Sequence, residues 1–347
     1  MRSHRQLASL LWAVVAVLVV FAARAQSGDT GTVTGHVYCG DTQKPARFAN
    51  LRLQPVDAQG GRTGFRGGFA TTGSDGSFRI AGVSPGDYYA DVTMPGYVQP
   101  LRGLLRDLDN LAPADRDRIT AQLTRVSVAA NQTANVQIML YRGAAISGSV
   151  SFDDGAPAAG VSVQAFILTA NTGTQAAGSV RQQSFAGFAQ TDDRGQFRLT
   201  GLADGTYIVF AAPRSIFPIY YGNTIERSNA KKLDIHAGDE VPGADIQIPA
   251  AGMHSVSGVV VSQQDGHALS RASVQLRLSS GDAGTISATT AQDGTFTFNA
   301  VPDGKFTVQL SDAYDPATRV GYTSAGQTRE VNGTDISDLV VNAAPSN

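Results

Sequence analysis

The sequence predicts an all-β protein of three tandem antiparallel β-sandwiches, with a short helical insert in the first. Three observations predict it. A glycine-centred strand motif recurs three times, at intervals of about 100 to 115 residues, long enough for each copy to own a core. A turn with Gly followed two residues later by Phe recurs in register with it. Glycine supplies 38 of 347 residues while charged residues make up 16%, a composition that favours short strands and frequent turns.

At the start of the chain, Arg2, His4 and Arg5 precede an apolar stretch from Leu7 to Ala23, and Ala23-Arg24-Ala25 offers the small residues a signal peptidase accepts. Residues 1–25 are therefore expected to be a cleaved signal peptide. The competing reading is a retained anchor, because the stretch approaches the roughly 20 residues of a membrane span. The sandwiches are then expected at 26–141, 142–250 and 251–347. No later run is as apolar, so no membrane span is expected after cleavage, and the chain should work in the periplasm, at the cell surface or outside the cell.

The first strand of each copy reads Val33-Thr34-Gly35-His36-Val37, Ile146-Ser147-Gly148-Ser149-Val150 and Val256-Ser257-Gly258-Val259-Val260. A period of two places the aliphatic residues and the glycine on one inward face. Glycine inside a strand marks a close approach of another backbone, expected here from the opposite sheet. The hairpin turns are Ser74-Asp75-Gly76-Ser77-Phe78, Asp193-Arg194-Gly195-Gln196-Phe197 and Gln292-Asp293-Gly294-Thr295-Phe296. Glycine supplies the positive φ of a tight turn, and the aromatic residue opens the returning strand on its buried face. An aliphatic residue, a second turn and an aromatic follow in each copy: Val83 to Tyr88, Leu202 to Tyr207, and Val301 to Phe306. Each copy closes with two more strands, within Val126 to Leu140, Leu233 to Ile248 and Arg329 to Val341. The insert is expected at about 101–126, where Leu101, Leu104, Leu105 and Leu108 recur at helical spacing.

Together these strand, turn and core positions make the chain resemble the carboxypeptidase regulatory-like domain, over nearly all of residues 31 to 342. The resemblance implies a transthyretin-like sandwich of about seven strands per copy. Such domains serve in secreted and surface bacterial proteins as spacers, as polysaccharide-binding modules or in front of outer-membrane receptors. Fold likeness of this kind implies no activity by itself.

The residues point away from catalysis, and the chain is expected not to be an enzyme. Outside the signal the histidines are His36, His236, His254 and His267, and no two are spaced i, i+4 as a helical zinc site requires. No Gly-x-Ser-x-Gly elbow presents a nucleophile. Asp153-Asp154 and Asp192-Asp193 sit beside glycines and are read as turn formers rather than calcium ligands. No catalytic residue, metal site or cofactor is expected. Cys39 is the only cysteine, so stability must come from packed cores rather than intrachain disulfides. Formal charge falls from −2 to −5 once Arg2, Arg5 and Arg24 leave with the signal, and the one close basic pair, Lys231-Lys232, makes nucleic acid an unsuitable partner.

The candidate ligand-binding residues are Phe217, Tyr220 and Tyr221, in the aromatic run Ile216 to Gly222 of the second copy. Aromatic rings on a sandwich edge can stack on sugar faces. The alternative is that these rings cover their own core. The expected function is that of an exported structural or adhesive protein, a spacer or docking surface whose partner is an envelope protein. The alternative expectation is polysaccharide binding.

Overall fold

The computed structural model describes residues 30–56, 67–98, 113, 117, 120–121, 123–168, 183–279, 284–315 and 319–346. The expected signal peptide and most of the expected insert lie outside them. The named elements are strands, apart from one 3-10 turn at Arg227–Asn229, so the protein is all-β; within the range of the expected insert the described residues Pro113, Asp117 and Thr120 are helical, and most of the others lie outside the described residues. The strand Thr124–Val128 already occupies the end of the range assigned to that insert. Val126 and Val128 alternate into the core there.

The chain splits into two compact units, one ending at Arg142 and the other beginning at Gly143. The first unit is built from β1 (Gly31–Cys39), β2 (Asn50–Pro55), β3 (Phe69–Thr71), β4 (Ser77–Val83), β5 (Gly86–Thr93), β6 (Thr124–Val128) and β7 (Thr133–Leu140). It has two sheets, β4-β1-β7 and β3-β2-β5-β6. Val33, Val37, Phe78 and Ile80 from the first meet Leu51, Leu53, Tyr88 and Val126 from the second in one core. Each such buried side chain contributes about 1.5–3 kcal/mol.

The second unit begins with β8 (Ala144–Phe152), β9 (Ser162–Leu168), β10 (Gln183–Gln190), β11 (Gln196–Leu202), β12 (Gly205–Ala212), β13 (Ile219–Tyr220), β14 (Leu233–Ile235), β15 (Glu240–Val241) and β16 (Ile246–Ile248). It continues with β17 (Met253–Ser262), β18 (Ser273–Leu278), β19 (Thr285–Thr289), β20 (Thr295–Pro302), β21 (Gly304–Asp315), β22 (Val320–Thr323), β23 (Gln327–Val331) and β24 (Ile336–Pro345). Two large cores lie in this unit, one around Ile146, Leu199 and Tyr207 and one around Val260, Phe298 and Phe306.

The sheets are mixed, which corrects the purely antiparallel expectation. β1 pairs antiparallel with β4 but parallel with β7, and β17 treats β20 and β24 in the same way. β8 pairs antiparallel with β11 and parallel with β15 and β16. The reason is visible in the first unit. β6 belongs to the second sheet, and the chain crosses to the first before β7. A strand arriving from the other layer escapes the hairpin constraint that forces neighbours antiparallel. In the last part of the chain the layers also join, because the twelve-residue β21 reaches β22, which pairs with β24.

The central glycines are required by a neighbour in their own sheet, not by the opposite sheet. A Cβ on Gly35 would stand 1.8 Å from the Val136 carbonyl oxygen of β7, and one on Gly258 would stand 2.0 Å from the Leu339 oxygen of β24. The parallel partner therefore makes the close approach. The turn glycines behave as expected, with φ of 77° at Gly76, 75° at Gly195 and 76° at Gly294.

A threonine four residues before each turn glycine escaped the sequence reading. Thr72, Thr191 and Thr290 are buried. Their hydroxyls donate to the carbonyls of Ala46, Ala158 and Leu269 at 2.5, 2.6 and 2.7 Å. Each also accepts a backbone N–H, from Ala49, Val161 and Ala272. One side chain thus satisfies two buried main-chain groups and ties the connection after the first strand to the start of the hairpin turn.

Candidate functional site

The three rings singled out in the sequence go to three different places. Phe217 is fully buried, and it belongs to the core of the residues that follow rather than to its own. Its ring centroid lies 5.4 Å from that of Phe306. Pro218 beside it closes on Gly284, where a Cβ would stand 2.7 Å from the proline ring. Tyr221 packs on the core of residues 144–248, with the Lys231 ammonium 5.5 Å from its ring centre. Tyr220, one residue earlier on a strand, points to the opposite side of the sheet.

There Tyr220 joins rings that the sequence reading passed over. The sheet runs β10-β9-β12, with β13 and β14 both pairing with β12. Its inner face carries Val163, Ala165, Tyr207, Val209 and Ala211. The outer face ought to be polar, yet it carries Phe166, Leu168, Ile208 and Phe210. Phe210 pairs across strands with Tyr220, and Phe166 with Ile208 on one side and Phe185 on the other. Ring centroids are 5.2 Å apart for Phe210 and Tyr220, 5.5 Å for Phe166 and Phe210, 6.0 Å for Phe166 and Phe185, and 6.4 Å for Phe185 and Phe188. Five rings therefore cross the sheet in an unbroken row. Exposure rises along it. Ile208 and Tyr220 are buried under Ala230, Phe166 and Phe210 are half-buried, and Phe188 at the far edge is 62% exposed.

The signal for this face was in the sequence as a breach of period two. Ala165-Phe166-Ile167-Leu168 and Tyr207-Ile208-Val209-Phe210 are continuous apolar runs where an alternating half-buried strand should switch to polar residues. Phe185 and Phe188 gave no such signal. Their spacing of three puts them on opposite faces of a regular strand, and only the register shift between Phe185 and Gly187 turns both outward.

Two of the described histidines, His254 and His267, lie beside carboxylates. His254 lies 3.3 Å from Asp303 and 3.7 Å from Asp335. Asp303 accepts the Gly333 N–H and Asp335 the Ser255 N–H, and the bond from Ser255 holds the Asp335 carboxyl below its ordinary pKa. His267 lies 2.6 Å from Asp265 and 3.5 Å from Asp315. Among the described residues no cluster of three His, Cys, Asp or Glu side chains could hold a metal ion. Asp154 accepts the N–H group of Ala156, and Asp192 those of Arg194 and Gln196, so these two acids act as turn caps, whereas Asp153 accepts from Ala251 far along the chain. A shallow depression of about 560 Å³ over β17, β20 and β24 has Asp338 as the single titratable side chain in its lining. In the first unit Cys39 is buried near Tyr97, whose hydroxyl donates to Asp41 at 2.9 Å. Burial pushes that phenol's pKa up, and the Arg142 guanidinium lies 5.2 Å from the ring centre. No described helix is long and apolar enough to cross a membrane.

Against this geometry the comparisons with known proteins can be set. Residues 255–334 match the family model of the carboxypeptidase regulatory-like domain. The match takes in the strand motif at Gly258, the turn at Gly294 and the aromatic Phe306, and it covers less than half of the chain. No curated protein matches the chain by sequence. Among solved structures, the Streptococcal ancillary pilin is 13% identical, with 91% of this chain and 99% of that one covered and a TM-score of 0.28. The major pilin subunit of Bacillus cereus is 10% identical, with 90% and 99% covered and a TM-score of 0.22. The Bacillus anthracis TIE protein is 12% identical with a TM-score of 0.23, and 91% of this chain spans 51% of its length. At such scores none of the three bears on the fold or on what the chain does.

Proposed function

We propose that the chain is an exported, non-catalytic structural protein of three tandem sandwiches, and that the outer aromatic face of the second is its docking surface for the cell envelope. The observation that carries this reading is the row from Tyr220 to Phe188, an apolar face on a sheet whose other face already builds a core. A folded protein seldom leaves such a row open without a partner to cover it. The recurrence of strand motif, turn glycine and buried threonine supports the count of three, with boundaries near 26–141, 142–250 and 251–347. The apolar stretch behind Arg2 and Arg5 supports export through a signal at residues 1–25.

A second reading is favoured by one detail. Gln164 lies between Phe188 and Phe210 in the cross-strand register, so an amide able to donate and accept stands among the rings. That combination suits a sugar ring, which offers an apolar face for stacking and hydroxyls at its rim. On this reading the polysaccharide site is the outer face, with Tyr220 at its covered end, and Phe217 takes no part.

The two readings separate in one experiment. Purified chain is tested for binding to envelope fragments that are untreated, protease-treated or periodate-oxidised, alongside the Phe166→Ser/Phe188→Ser variant. Binding lost on proteolysis assigns a protein partner, and binding lost on oxidation assigns a glycan. Binding that the double variant retains in full would overturn the docking surface itself.

A further inference from the structure

The aromatic row ends at an open strand edge, and its residues suit a second copy of the same strand. Among the described residues β10 pairs with β9 alone. It carries no charged residue or proline, although these are the usual means of keeping a sheet edge from pairing. Its sequence Gln-Ser-Phe-Ala-Gly-Phe-Ala-Gln reads nearly the same in both directions about Ala186 and Gly187. A two-fold interface needs that property, because each residue must suit its own symmetry mate.

We propose that β10 pairs antiparallel with β10 of a second copy, extending the sheet across a two-fold axis. Phe185 of each copy then faces Phe188 of the other, and Ala186 faces Gly187. The bulge between Phe185 and Gly187 would ordinarily spoil an edge for pairing. Here it has already turned both phenylalanines to the outer face, and the two small residues at its centre leave room for the irregularities to meet. Joined this way, the rows from Tyr220 to Phe188 become one continuous aromatic face, and the 62%-exposed ring of Phe188 gains cover. Two eight-residue edges with two rings each fall below about 1,200 Å² of total buried surface, the size of weak and transient contacts. The dimer is accordingly concentration-dependent.

The inference rests on the outer face being a docking surface and assigns its open strand edge to a second copy, with the enlarged face left for the envelope partner. The test is sedimentation velocity of the mature chain over a concentration series, with three samples: wild type, Phe188→Lys, and an equimolar mixture of Phe188→Lys with Phe185→Glu chains. Wild type should shift from monomer to dimer, Phe188→Lys should dissociate at least about tenfold more readily, and the mixture should recover much of the lost association, since each Lys then faces a Glu. Circular dichroism confirms that each variant is folded, and Gln190→Lys at the rim of the strand serves if Phe188→Lys fails to fold. A wild type that stays monomeric throughout, or a dimer that survives Phe188→Lys, would overturn the proposal. If the chain is monomeric and still binds envelope fragments through Phe166 and Phe188, the docking surface stands and the occupant is a glycan or another protein.

Discussion

Residues 162–235 and 273–331 build the same kind of sheet, yet their outer faces differ in kind. On the inner faces the two agree position by position, Val163 with Val274, Ala165 with Leu276, Tyr207 with Phe306 and Val209 with Val308. On the outer faces Phe166 stands where the later sheet has Arg277, Ile208 where it has Thr307, and Phe210 where it has Gln309. The first unit has Gln54, Tyr89 and Asp91 at these places. Inward positions are held by packing, so they drift only among apolar residues. Outward positions carry no such demand, and on the proposed reading the sheet that fills them with rings does so for contact.

The largest effect should come from the residue that joins the two regions. Phe217 leaves the segment after β12 and fills the core of the residues that follow, so Phe217→Ala is expected to cost about 3–5 kcal/mol. Chemical denaturation of the mature chain would show it, with the loss confined to the transition of residues 143–347. A cost below 1 kcal/mol would mean that the two cores stand independently.

How much was legible in the sequence follows the same division. The strand glycines, the turn glycines and the alternating core were readable because each is a local demand of backbone or burial, repeated three times. The parallel closing strands were not, since direction within a sheet depends on which layer the chain enters. Phe217 was readable as an aromatic in a long connection, but period and composition name no destination, and its core lies some ninety residues further along. Tyr220 was legible as a candidate, whereas its neighbours Phe185 and Phe188 needed the bulge to share its face. Thr72, Thr191 and Thr290 look like ordinary strand threonines until their carbonyl partners, brought close by the fold, are seen.

Those threonines give the next effect in size. Thr290→Val keeps the shape but leaves the Leu269 carbonyl and the Ala272 N–H unpaired, at a cost of about 1–3 kcal/mol. Thr191→Val should cost the same within error in the sister region, measured by the same denaturation curve. Unequal costs would show that the cores hold their hairpins differently.

A smaller effect, with opposite sign, is expected at Ala300. It has a φ of 59° where Gly82 and Gly201 have 73° and 75°, so a side chain occupies a backbone conformation that glycine adopts freely. Ala300→Gly should relieve more strain than it adds in unfolded-state freedom, stabilising by about 0.4–1 kcal/mol. No gain in melting temperature would contradict it.

The acids on the outer surfaces give a pH signature. Desolvation raises the Asp91 carboxyl pKa, only partly offset by Arg52, so its contribution is most favourable below the unfolded value near 3.8 and is lost as pH rises through the folded value. Asp91→Asn should therefore raise the melting temperature of the first unit at pH 7 and change it little at pH 3. Asp293 has the reverse sign, because bonds from Thr295 lower it. Its contribution is present above about 3.8 and lost as pH falls below that value.

The central claim is that the exposed end of the row, at Phe188, serves contact and not folding. Phe188→Ser tests it most directly when unfolding free energy and envelope binding are measured on the same preparation. The account predicts a stability change within about 0.5 kcal/mol, as for an exposed residue, together with a loss of binding of at least about tenfold. A variant that loses several kcal/mol of stability, or one that binds as well as wild type, would contradict it.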